Sequence, residues 1–436
     1  MKLSQYTYLF EKAGKYYLYN SQSGLLASLE KTVYESLYNK DFESLDKFFL
    51  DTLVKKGVVV EDDQVYNYYY KKRQEYFAAV GNNESLNLVI APTSGCNFAC
   101  PYCFEGEKAN KRMSPEVIDS LIGFIKSYKE TKKLSITWYG GEPLSAFDLM
   151  VRILERIKSE CPQMELTQSV VTNGYLANAK VVEFLKNEGF KNIQITFDGL
   201  EANHNKTRYL KGSKKPTYRQ IMDNVDRLVA EMPTECIISL RININKDNEE
   251  DFYYMYRLIK EKYHNDRVFV YPGFIREDSK DGSQMCYKSI SGKSMFDFYK
   301  RLEGRGMNID FYPHKKNKGC MICSNNSLII GPEGEIYKCW NDFNNPEKII
   351  GNVKYNRIID STLLGRYTFE ATPYADEKCK ECKLFPVCDG GCGWERYQNT
   401  FNHKNYNLCS ILTDRVLLEE SLLKKCDMQI DRISAF

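Results

Sequence analysis

Three cysteines in one short stretch are the residues of this chain whose type and spacing most directly indicate chemistry. Cys96, Cys100 and Cys103 have a C-x3-C-x2-C spacing and follow the apolar run 86–92. A loop that leaves a strand can fold three thiolates around one iron–sulfur cluster, because soft thiolates suit such a cluster. Three ligands would leave one iron of a four-iron cluster open. A zinc loop is the alternative, although zinc sites favour C-x2-C pairs.

A second group of cysteines lies near the end of the chain and holds eight of its fifteen cysteines. The eight are Cys320, Cys323, Cys339, Cys379, Cys382, Cys388, Cys392 and Cys409. The apolar run 328–330 and the turn 331–334 predict a β-hairpin between Cys323 and Cys339. Eight thiolates satisfy two sites of four, and spacing alone does not separate zinc ribbons from iron–sulfur clusters.

The composition narrows the class of protein. A chain of 436 residues can hold two or three domains. Its 61 Lys and Arg against 58 Asp and Glu give a net charge of +3, which favours neither a nucleic acid nor a membrane surface as partner. The sequence predicts no signal peptide and no membrane span, so we expect a cytoplasmic protein. Fifteen cysteines in that compartment indicate metal or redox cofactors rather than disulfides.

The segment that must position the first three cysteines alternates between strand and helix patterns. Strands are predicted at 86–91, 134–138, 166–171, 193–197, 237–243 and 268–271, and helices at 115–128, 146–159, 179–187, 218–231 and 249–263. Six such β/α units predict a parallel sheet with right-handed crossovers, fewer than the eight units of a complete barrel. The Cys96–Cys103 loop follows the first strand, at the end where active sites of β/α barrels lie.

The first cysteine motif, with the aromatic Tyr102 before its last cysteine, resembles the signature of the radical S-adenosylmethionine (SAM) enzymes. The resemblance implies an α/β fold with a partial (β/α)6 barrel. It also implies a [4Fe–4S] cluster on Cys96, Cys100 and Cys103 whose open iron binds SAM. Cleavage of SAM in that family gives a 5′-deoxyadenosyl radical that takes a hydrogen atom from the substrate. Tyr102 would pack near the adenine.

Further positions at strand ends carry the resemblance. Gly140, Gly141 and Glu142 follow the second strand and resemble the Gly-Gly-Glu segment that holds the SAM amino group. By position, further contacts of SAM or the substrate are implied at Thr172, Asn173, Asp198 and Arg241. His204 and Arg208 follow Asp198 in a D-G-x4-H-x3-R pattern that is similar to relatives acting on peptides and sulfatases. A capping or ion-pairing role is the alternative for each of these side chains, and the catalytic residue is left unknown.

The C-terminal cysteines resemble the SPASM extension of radical SAM peptide-modifying enzymes, which carries two auxiliary [4Fe–4S] clusters. Carried over by position, the first auxiliary cluster would be held by Cys320, Cys323, Cys339 and Cys392. The second would be held by Cys379, Cys382, Cys388 and Cys409. Together with the SAM-binding cluster on the first motif, the resemblance implies three [4Fe–4S] clusters in all, with SAM as a further cofactor.

Residues 1–80 predict a small module with a hairpin (6–10 and 16–19), helices at 30–38 and 42–56, and a final strand at 58–60. It resembles the winged-helix-like recognition modules of enzymes that modify ribosomally made peptides, which capture a leader peptide by strand addition. A structural cap on the barrel is the alternative. A tyrosine-rich helix at 64–77 is predicted to link this module to the barrel. The predicted domains are 1–80, the barrel at 84–275, a connecting segment at 276–319 and the SPASM domain with its C-terminal helix at 320–436.

Three functions follow as hypotheses. The first is a peptide maturase that crosslinks or oxidises a ribosomally made precursor peptide, with a small reductant protein such as flavodoxin or ferredoxin as partner. The second is an anaerobic sulfatase maturase that makes formylglycine. It is weakened because Trp340 follows Cys339, where those enzymes have an aspartate, and the nearest downstream acid is Asp342. The third is a non-catalytic, zinc-containing peptide-binding protein.

Overall fold

The structure is a computed structural model, and it describes residues 1–103, 110–275, 293–309, 312–314, 320–388 and 390–433. The chain forms two compact units. The first unit contains Met1–Val80, Arg305–Cys323 and Gly365–Phe436, and the second contains Gly81–Gly304 and Ser324–Leu364. The two units are defined by packing contacts and not by function. The four domains predicted from the sequence therefore stay a prediction.

The N-terminal part of the first unit combines two small sheets with three helices. Its strands are β1 (Lys2–Leu3), β2 (Thr7–Lys12), β3 (Lys15–Asn20), β4 (Leu25–Leu29) and β5 (Val59–Val60), and its helices are α1 (Lys31–Asn39), α2 (Lys47–Lys55) and α3 (Asn67–Val80). Strands β2, β3 and β4 form an antiparallel sheet, and β1 pairs with β5. The predicted hairpin, helices and final strand are therefore confirmed, and β1 and β4 are additions. Helix α2 begins later than predicted because the Asp46 side chain accepts a hydrogen bond from Phe49 N (3.0 Å) and caps it.

The tyrosines of α3 contact the C-terminal part of the same unit, whereas the sequence interpretation placed this helix against the barrel. The Tyr69 ring lies 5.5 Å from that of Phe385, and the Tyr76 hydroxyl donates to Thr368 O at 3.0 Å. Side chains of β2 and β3 also share a hydrophobic core with the C-terminal segment, formed by Phe10, Tyr17, Tyr19, Leu384, Val387, Leu418 and Leu422. Removal of residues 1–80 would therefore expose this core.

The second unit is built on a ten-stranded sheet. Its strands are β6 (Ser85–Ile90), β7 (Lys133–Trp138), β8 (Glu165–Thr172), β9 (Asn192–Phe197), β10 (Ile237–Ile244), β11 (Val268–Phe274), β12 (Ser327–Ile330), β13 (Glu335–Tyr337), β14 (Gly351–Asn352) and β15 (Arg357–Ile358). Strands β6 to β11 are parallel and adjacent in chain order. The crossovers run through α4 (Pro115–Ser127), α5 (Phe147–Glu160), α6 (Ala179–Asn187), α7 (Glu201–Thr207), α8 (Tyr218–Glu231) and α9 (Asp251–Tyr263). This confirms the predicted six-unit β/α fold, to which α7 is an addition.

The sheet continues beyond β6 into the second cysteine region. Strand β12 pairs parallel with β6, with Leu328 opposite Leu88, and β13, β14 and β15 follow as antiparallel strands. The predicted hairpin between Cys323 and Cys339 is therefore confirmed as β12–β13. Helix α10 (Lys293–Gly304) lies within the predicted connecting segment, and α11 (Ser361–Gly365) follows β15.

The parallel strands have one apolar side and one polar side. On β7, Leu134, Ile136 and Trp138 are buried, whereas Ser135 and Thr137 are partly exposed. In a β/α barrel the apolar side packs against the helices and the other side lines the interior. A polar, partly open interior is therefore expected at the carboxyl ends of these strands.

The remaining helices belong to the first unit: α12 (Glu377–Lys380), α13 (Phe385–Cys388), α14 (Gly393–Phe401) and α15 (Arg415–Ile433). Within the described ranges, none of the helices combines the length and the apolar character needed to cross a bilayer. Cys161 and Cys236 are buried, as expected for small apolar core residues. Cys286 and much of the predicted connecting segment lie outside the described residues.

Candidate functional site

The first cysteine motif forms a compact loop at the carboxyl end of β6. Cys96, Cys100 and Cys103 are partly buried thiols. Cys96 Sγ accepts from Phe98 N at 3.4 Å, and Cys103 N donates to Cys100 O at 3.2 Å. Burial raises the pKa of Cys100 to about 12, and the other two thiols raise it as well, although the charge of Arg208 lowers it. A bound metal would deprotonate such a thiol.

The donor set of this loop fits a cluster with three protein ligands. Among the described residues, no three His, Cys, Asp or Glu side chains converge closely enough to hold a single metal ion. The cluster assignment to Cys96, Cys100 and Cys103 stays a prediction.

The Gly140–Glu142 segment at the end of β7 lies flat against the turn that precedes Cys96. Gly141 N donates to Thr93 O at 3.2 Å, and Glu142 N donates to Gly95 O at 2.8 Å. Gly140 has a φ of 119°, and a Cβ on either glycine would collide with carbonyl oxygens of that turn. Glycine is therefore required at both positions, and the segment is fixed next to the cysteine loop.

The carboxylate of Glu142 is fully buried and joins the ends of β7 and β8. Its Oε1 accepts from the Thr172 hydroxyl at 2.6 Å and from Leu144 N at 3.0 Å. Its Oε2 accepts from Asn173 N at 2.7 Å. A buried carboxylate is stable only when hydrogen bonds of this kind compensate its lost hydration. Glu142 therefore sets the positions of two other predicted site residues.

Two asparagines connect the cysteine loop to β8. Asn173 Nδ2 donates to Asn97 Oδ1 at 2.7 Å and lies 3.9 Å from Cys96 Sγ. The Nδ2 atom of Asn97 is buried without a hydrogen-bond partner among the described residues. A buried amide donor without a partner is costly, which is an indication that it meets a ligand. Asn97 was not among the predicted site residues, although it lies inside the motif.

Tyr102 and Asp198 form the centre of a buried polar cluster. The Tyr102 hydroxyl donates to Asp198, with both carboxylate oxygens at 2.6 Å. The same hydroxyl accepts from Arg208 Nη1 and Asn243 Nδ2, each at 3.2 Å, and Thr207 donates to Asp198 at 2.5 Å. Burial raises the pKa of Asp198, although Arg208 and these hydrogen bonds lower it. The predicted contact of Tyr102 with adenine stays a prediction, and its hydroxyl has a second role in holding Asp198.

His204 supports this cluster through backbone groups of Asp198 and Arg208. Its Nδ1 accepts from Asp198 N at 3.4 Å, and its Nε2 lies 3.1 Å from the Thr217 hydroxyl. That hydroxyl donates to Arg208 O, so Nε2 must carry the proton. Burial lowers the pKa of His204 well below its usual value. The imidazole is therefore neutral, and it links the backbone of Asp198, through Thr217, to the backbone of Arg208.

Arg241 faces the same side of the sheet as Asp198. The parallel register places Thr196 opposite Arg241, which brings Asp198 and Asn243 level at the strand ends. Arg241 Nε donates to Asn243 Oδ1 at 2.9 Å, and the guanidinium lies so close to Gly273 that a Cβ there would collide with it. The polar residues predicted at the ends of β9 and β10 are thus brought together.

Cys339 and the residues that follow it lie beside the Gly140–Glu142 segment. Cys339 is buried, and the Trp340 ring meets the Tyr139 ring edge-on, with centroids 4.5 Å apart at 84°. Asp342 is buried too, and its backbone N–H donates to Cys339 O at 2.9 Å. A tryptophan side chain therefore occupies the place next to Cys339 and packs on the second unit's site.

The cysteines assigned to the second auxiliary cluster interact within the first unit. Burial raises the pKa of Cys382, and the charges of the Cys388 and Cys409 thiols raise it further. Burial also raises the pKa of Cys379 to about 11, although Arg396 lowers it, and Asp376 and Cys388 raise it by smaller amounts. This coupling fits a shared four-thiolate site. The assignment of Cys320, Cys323, Cys339 and Cys392 to one other cluster stays a prediction.

The comparison with known families identifies the domain that contains the first site. Residues 90–259 match the family model described as the Radical SAM superfamily. A cysteine-type anaerobic sulfatase-maturating enzyme of Clostridium novyi (strain NT) is 24% identical over 361 residues, which cover 74% of this chain and 92% of that enzyme. The chain therefore carries a radical SAM domain and is homologous to enzymes of this kind.

Solved structures show the same fold. A structure described as native anSMEcpe with bound AdoMet and Cp18Cys peptide has a TM-score of 0.60 at 21% identity, covering 80% of this chain and 99% of that one. Streptococcus suis SuiB bound to precursor peptide SuiA has a TM-score of 0.55 at 16% identity, covering 94% of this chain and 99% of that one. The predicted α/β fold with a partial barrel is confirmed by these likenesses.

Proposed function

We propose that this protein is a radical SAM maturase that modifies a ribosomally made precursor peptide by crosslinking or oxidation. The observation that carries the proposal is the extent of the likeness to SuiB, a structure solved with its precursor peptide. It covers 94% of this chain and therefore includes most of residues 1–80, whereas the likeness to anSMEcpe covers 80%. This coverage supports a counterpart of the N-terminal module in SuiB, whose structure contains a precursor peptide.

In this proposal the second unit holds the cofactors of the reaction. Cys96, Cys100 and Cys103 bind the SAM cluster, and Gly140–Glu142 holds the amino group of SAM next to it. When bound, the reduced cluster supplies the electron that cleaves SAM, and the radical so formed takes a hydrogen atom from the peptide. The Asn97 Nδ2 atom, which has no hydrogen-bond partner among the described residues, is available as a donor to SAM, and Tyr102 keeps Asp198 in place at the strand ends.

The auxiliary clusters belong to the same proposal. Cys379, Cys382, Cys388 and Cys409 would hold one of them and Cys320, Cys323, Cys339 and Cys392 the other. The charge coupling between Cys382, Cys388 and Cys409 supports the first of these two sets. Iron binds the thiolate form of cysteine, so assembly of these clusters would release protons.

The N-terminal module is proposed to bind the leader of the peptide. Strands β2 and β4 each pair on one side only within the described residues, which leaves room for an added strand. A cavity of about 290 Å³ beside β4 is lined by Ser23, Gly24, Leu25, Leu26, Lys56 and Tyr312. The aromatic ring of Phe48 on α2 is 82% exposed and is therefore accessible to a bound peptide.

The deciding experiment is intact-mass analysis after anaerobic incubation with SAM and a low-potential reductant such as reduced flavodoxin. One sample contains a short peptide encoded beside the gene, and the other contains a sulfatase-type peptide with its target cysteine or serine. Loss of two hydrogens from the first peptide alone would support the proposal. Conversion of the sulfatase-type peptide to an aldehyde would overturn it.

The second candidate is an anaerobic sulfatase maturase, and homology to the C. novyi enzyme over 74% of this chain favours it. The side chain next to Cys339 argues against it, because Trp340 packs on Tyr139 where those enzymes have an aspartate. Asp342 is the nearest acid, and it is 1% exposed. An aldehyde product would make Asp342→Asn the first variant to test as the base.

The third candidate, a non-catalytic zinc protein, is tested by metal analysis. Anaerobically prepared protein that contains zinc and no iron would overturn the radical proposal. Iron and labile sulfide without zinc would exclude this candidate.

A further inference from the structure

The second auxiliary site contains a buried arginine that the cysteine motif does not include. Arg396 lies on α14, four residues after Cys392, and is 5% exposed. Its Nη2 donates to Cys379 Sγ at 3.3 Å and to Gly390 O at 2.8 Å. A charged side chain this deeply buried is retained only where a specific partner stabilises it.

A carboxylate fixes the direction of this guanidinium. Arg396 Nη1 donates to Asp376 Oδ2 at 2.6 Å, and Asp376 caps α12, the helix that carries Cys379. The guanidinium and the carboxylate form a salt bridge, and both side chains are at most partly exposed. The salt bridge therefore keeps the Arg396 guanidinium oriented toward the Cys379 sulfur.

The third donor atom of the guanidinium differs from the other two. The Nε atom of Arg396 is buried without a hydrogen-bond partner among the described residues. An unsatisfied donor on a buried cation is costly, and a nearby anionic group would compensate it. A cluster on Cys379, Cys382, Cys388 and Cys409 would bring such negative charge to this side of the arginine.

We propose that Arg396 is a positioning residue that raises the reduction potential of the auxiliary cluster bound through Cys379. Hydrogen bonds to cluster sulfurs and nearby positive charge are among the factors that set such potentials. One-electron reduction adds one negative charge to the cluster without a bond being made or broken. The guanidinium stabilises the reduced form more than the oxidised form. The inference rests on the auxiliary cluster of the proposed function, and it adds a determinant of that cluster's electron affinity.

The test is a redox titration with dithionite, followed by electron paramagnetic resonance, in the Cys96→Ala/Cys100→Ala/Cys103→Ala background that lacks the SAM cluster. In Arg396→Gln one auxiliary signal should need a lower potential, with about tenfold less reduced cluster at a fixed potential, which is about 59 mV for one electron. The other auxiliary signal is the internal control. Arg396→Lys keeps the charge but loses the fork, so its shift should be smaller.

Arg366→Gln is the matched control, because its guanidinium lies over the Phe401 ring at 4.8 Å in the same unit. It should leave both potentials unchanged. Unchanged potentials in Arg396→Gln, with full iron content, would overturn the inference and leave the cluster assignment intact. Equal loss of iron in Arg396→Gln and Arg396→Lys would also overturn it, in favour of a role in folding alone. A parent protein without auxiliary iron would instead overturn the proposed function.

Discussion

The Trp340 ring packs edge-on against Tyr139, the residue directly before Gly140, with the two centroids 4.5 Å apart. Aromatic pairs of this geometry contribute about 0.5–1.5 kcal/mol beyond their buried area. The contact joins the residue after Cys339 to the segment proposed to hold SAM. A sequence change directly after Cys339 is therefore expected to affect the segment proposed to hold SAM.

The first prediction concerns this contact. Trp340→Ala should weaken SAM binding several-fold and by no more than about tenfold, since the lost contact is worth at most about one factor of ten. Equilibrium dialysis with labelled SAM on iron-loaded protein measures it. Trp340→Phe keeps an aromatic ring at this position and should bind nearly as the parent does. Equal affinities in all three proteins would show that the pair does not support the SAM segment.

The second prediction concerns the SAM cluster. The triple variant Cys96→Ala/Cys100→Ala/Cys103→Ala should lose about four irons and all 5′-deoxyadenosine formation, because a cluster of this type needs its thiolates. Iron analysis and chromatography of the nucleoside products measure both. Cys161→Ala, which changes a buried cysteine outside the motifs, is the control and should keep the parent's iron. Nucleoside formation in the triple variant would disprove the assignment.

The third prediction concerns Glu142. In Glu142→Gln the amide NH₂ would face an N–H or O–H donor that now meets a carboxylate oxygen. The free energy of unfolding should fall by about 1–3 kcal/mol, the usual cost of a buried unsatisfied group. Urea unfolding followed by circular dichroism measures it. Glu165→Gln, at the exposed start of β8, should stay within about 0.5 kcal/mol of the parent.

The fourth prediction concerns pH and His204. Because burial lowers the folded-state pKa of this imidazole, the unfolded chain binds the proton more readily. The resulting stability is complete above the unfolded pKa of about 6.5 and falls by up to about 1.4 kcal/mol per pH unit below it. Urea unfolding at pH 7.5 and 5.5 should show a smaller pH effect in His204→Gln than in the parent. His403→Gln, which changes an exposed histidine, should leave the effect unchanged.

The fifth prediction concerns the leader peptide. Because residues 1–80 share a core with the C-terminal segment, a point substitution is a cleaner probe than a deletion. Phe48→Ser should weaken binding of a fluorescent leader peptide, since it removes an exposed ring from α2. Fluorescence anisotropy measures it. Tyr355→Ser, at a residue 65% exposed in the second unit, should bind as the parent does. Equal affinities for both variants would assign Phe48 no part in leader binding.

The parallel strands could be predicted because each is a short apolar or alternating run followed by a helix pattern. Strand β9, with Ile193, Ile195 and Phe197 buried, is an example. The small sheet at the N terminus was only partly predicted, since the β4 run Leu25–Leu29 contains Ala27 and Ser28, which give a weak strand signal. The short helix α7 was missed because its polar residues show no apolar period.

The candidate site was predictable where residues are adjacent in sequence and not where they meet in space. The D-G-x4-H-x3-R pattern indicated Asp198, His204 and Arg208 together as candidate site residues. The meeting of Asp198 and Arg208 with Tyr102, which lies 96 residues before Asp198, depends on strand register and has no local signal. The same holds for the bond between Arg396 and Cys379, which joins two turns of separate helices.

The parallel pairing of β12 with β6 has a consequence for any shortened form of this protein. A chain that stops before residue 320 would keep the radical SAM match at 90–259 but would leave the backbone groups of Asn87 to Ile90 without their partners. Such an unpaired edge of β6 is a template for pairing with another chain, so the shortened protein should aggregate. The smallest unit that folds cleanly would therefore have to include β12, the strand that covers this edge of β6.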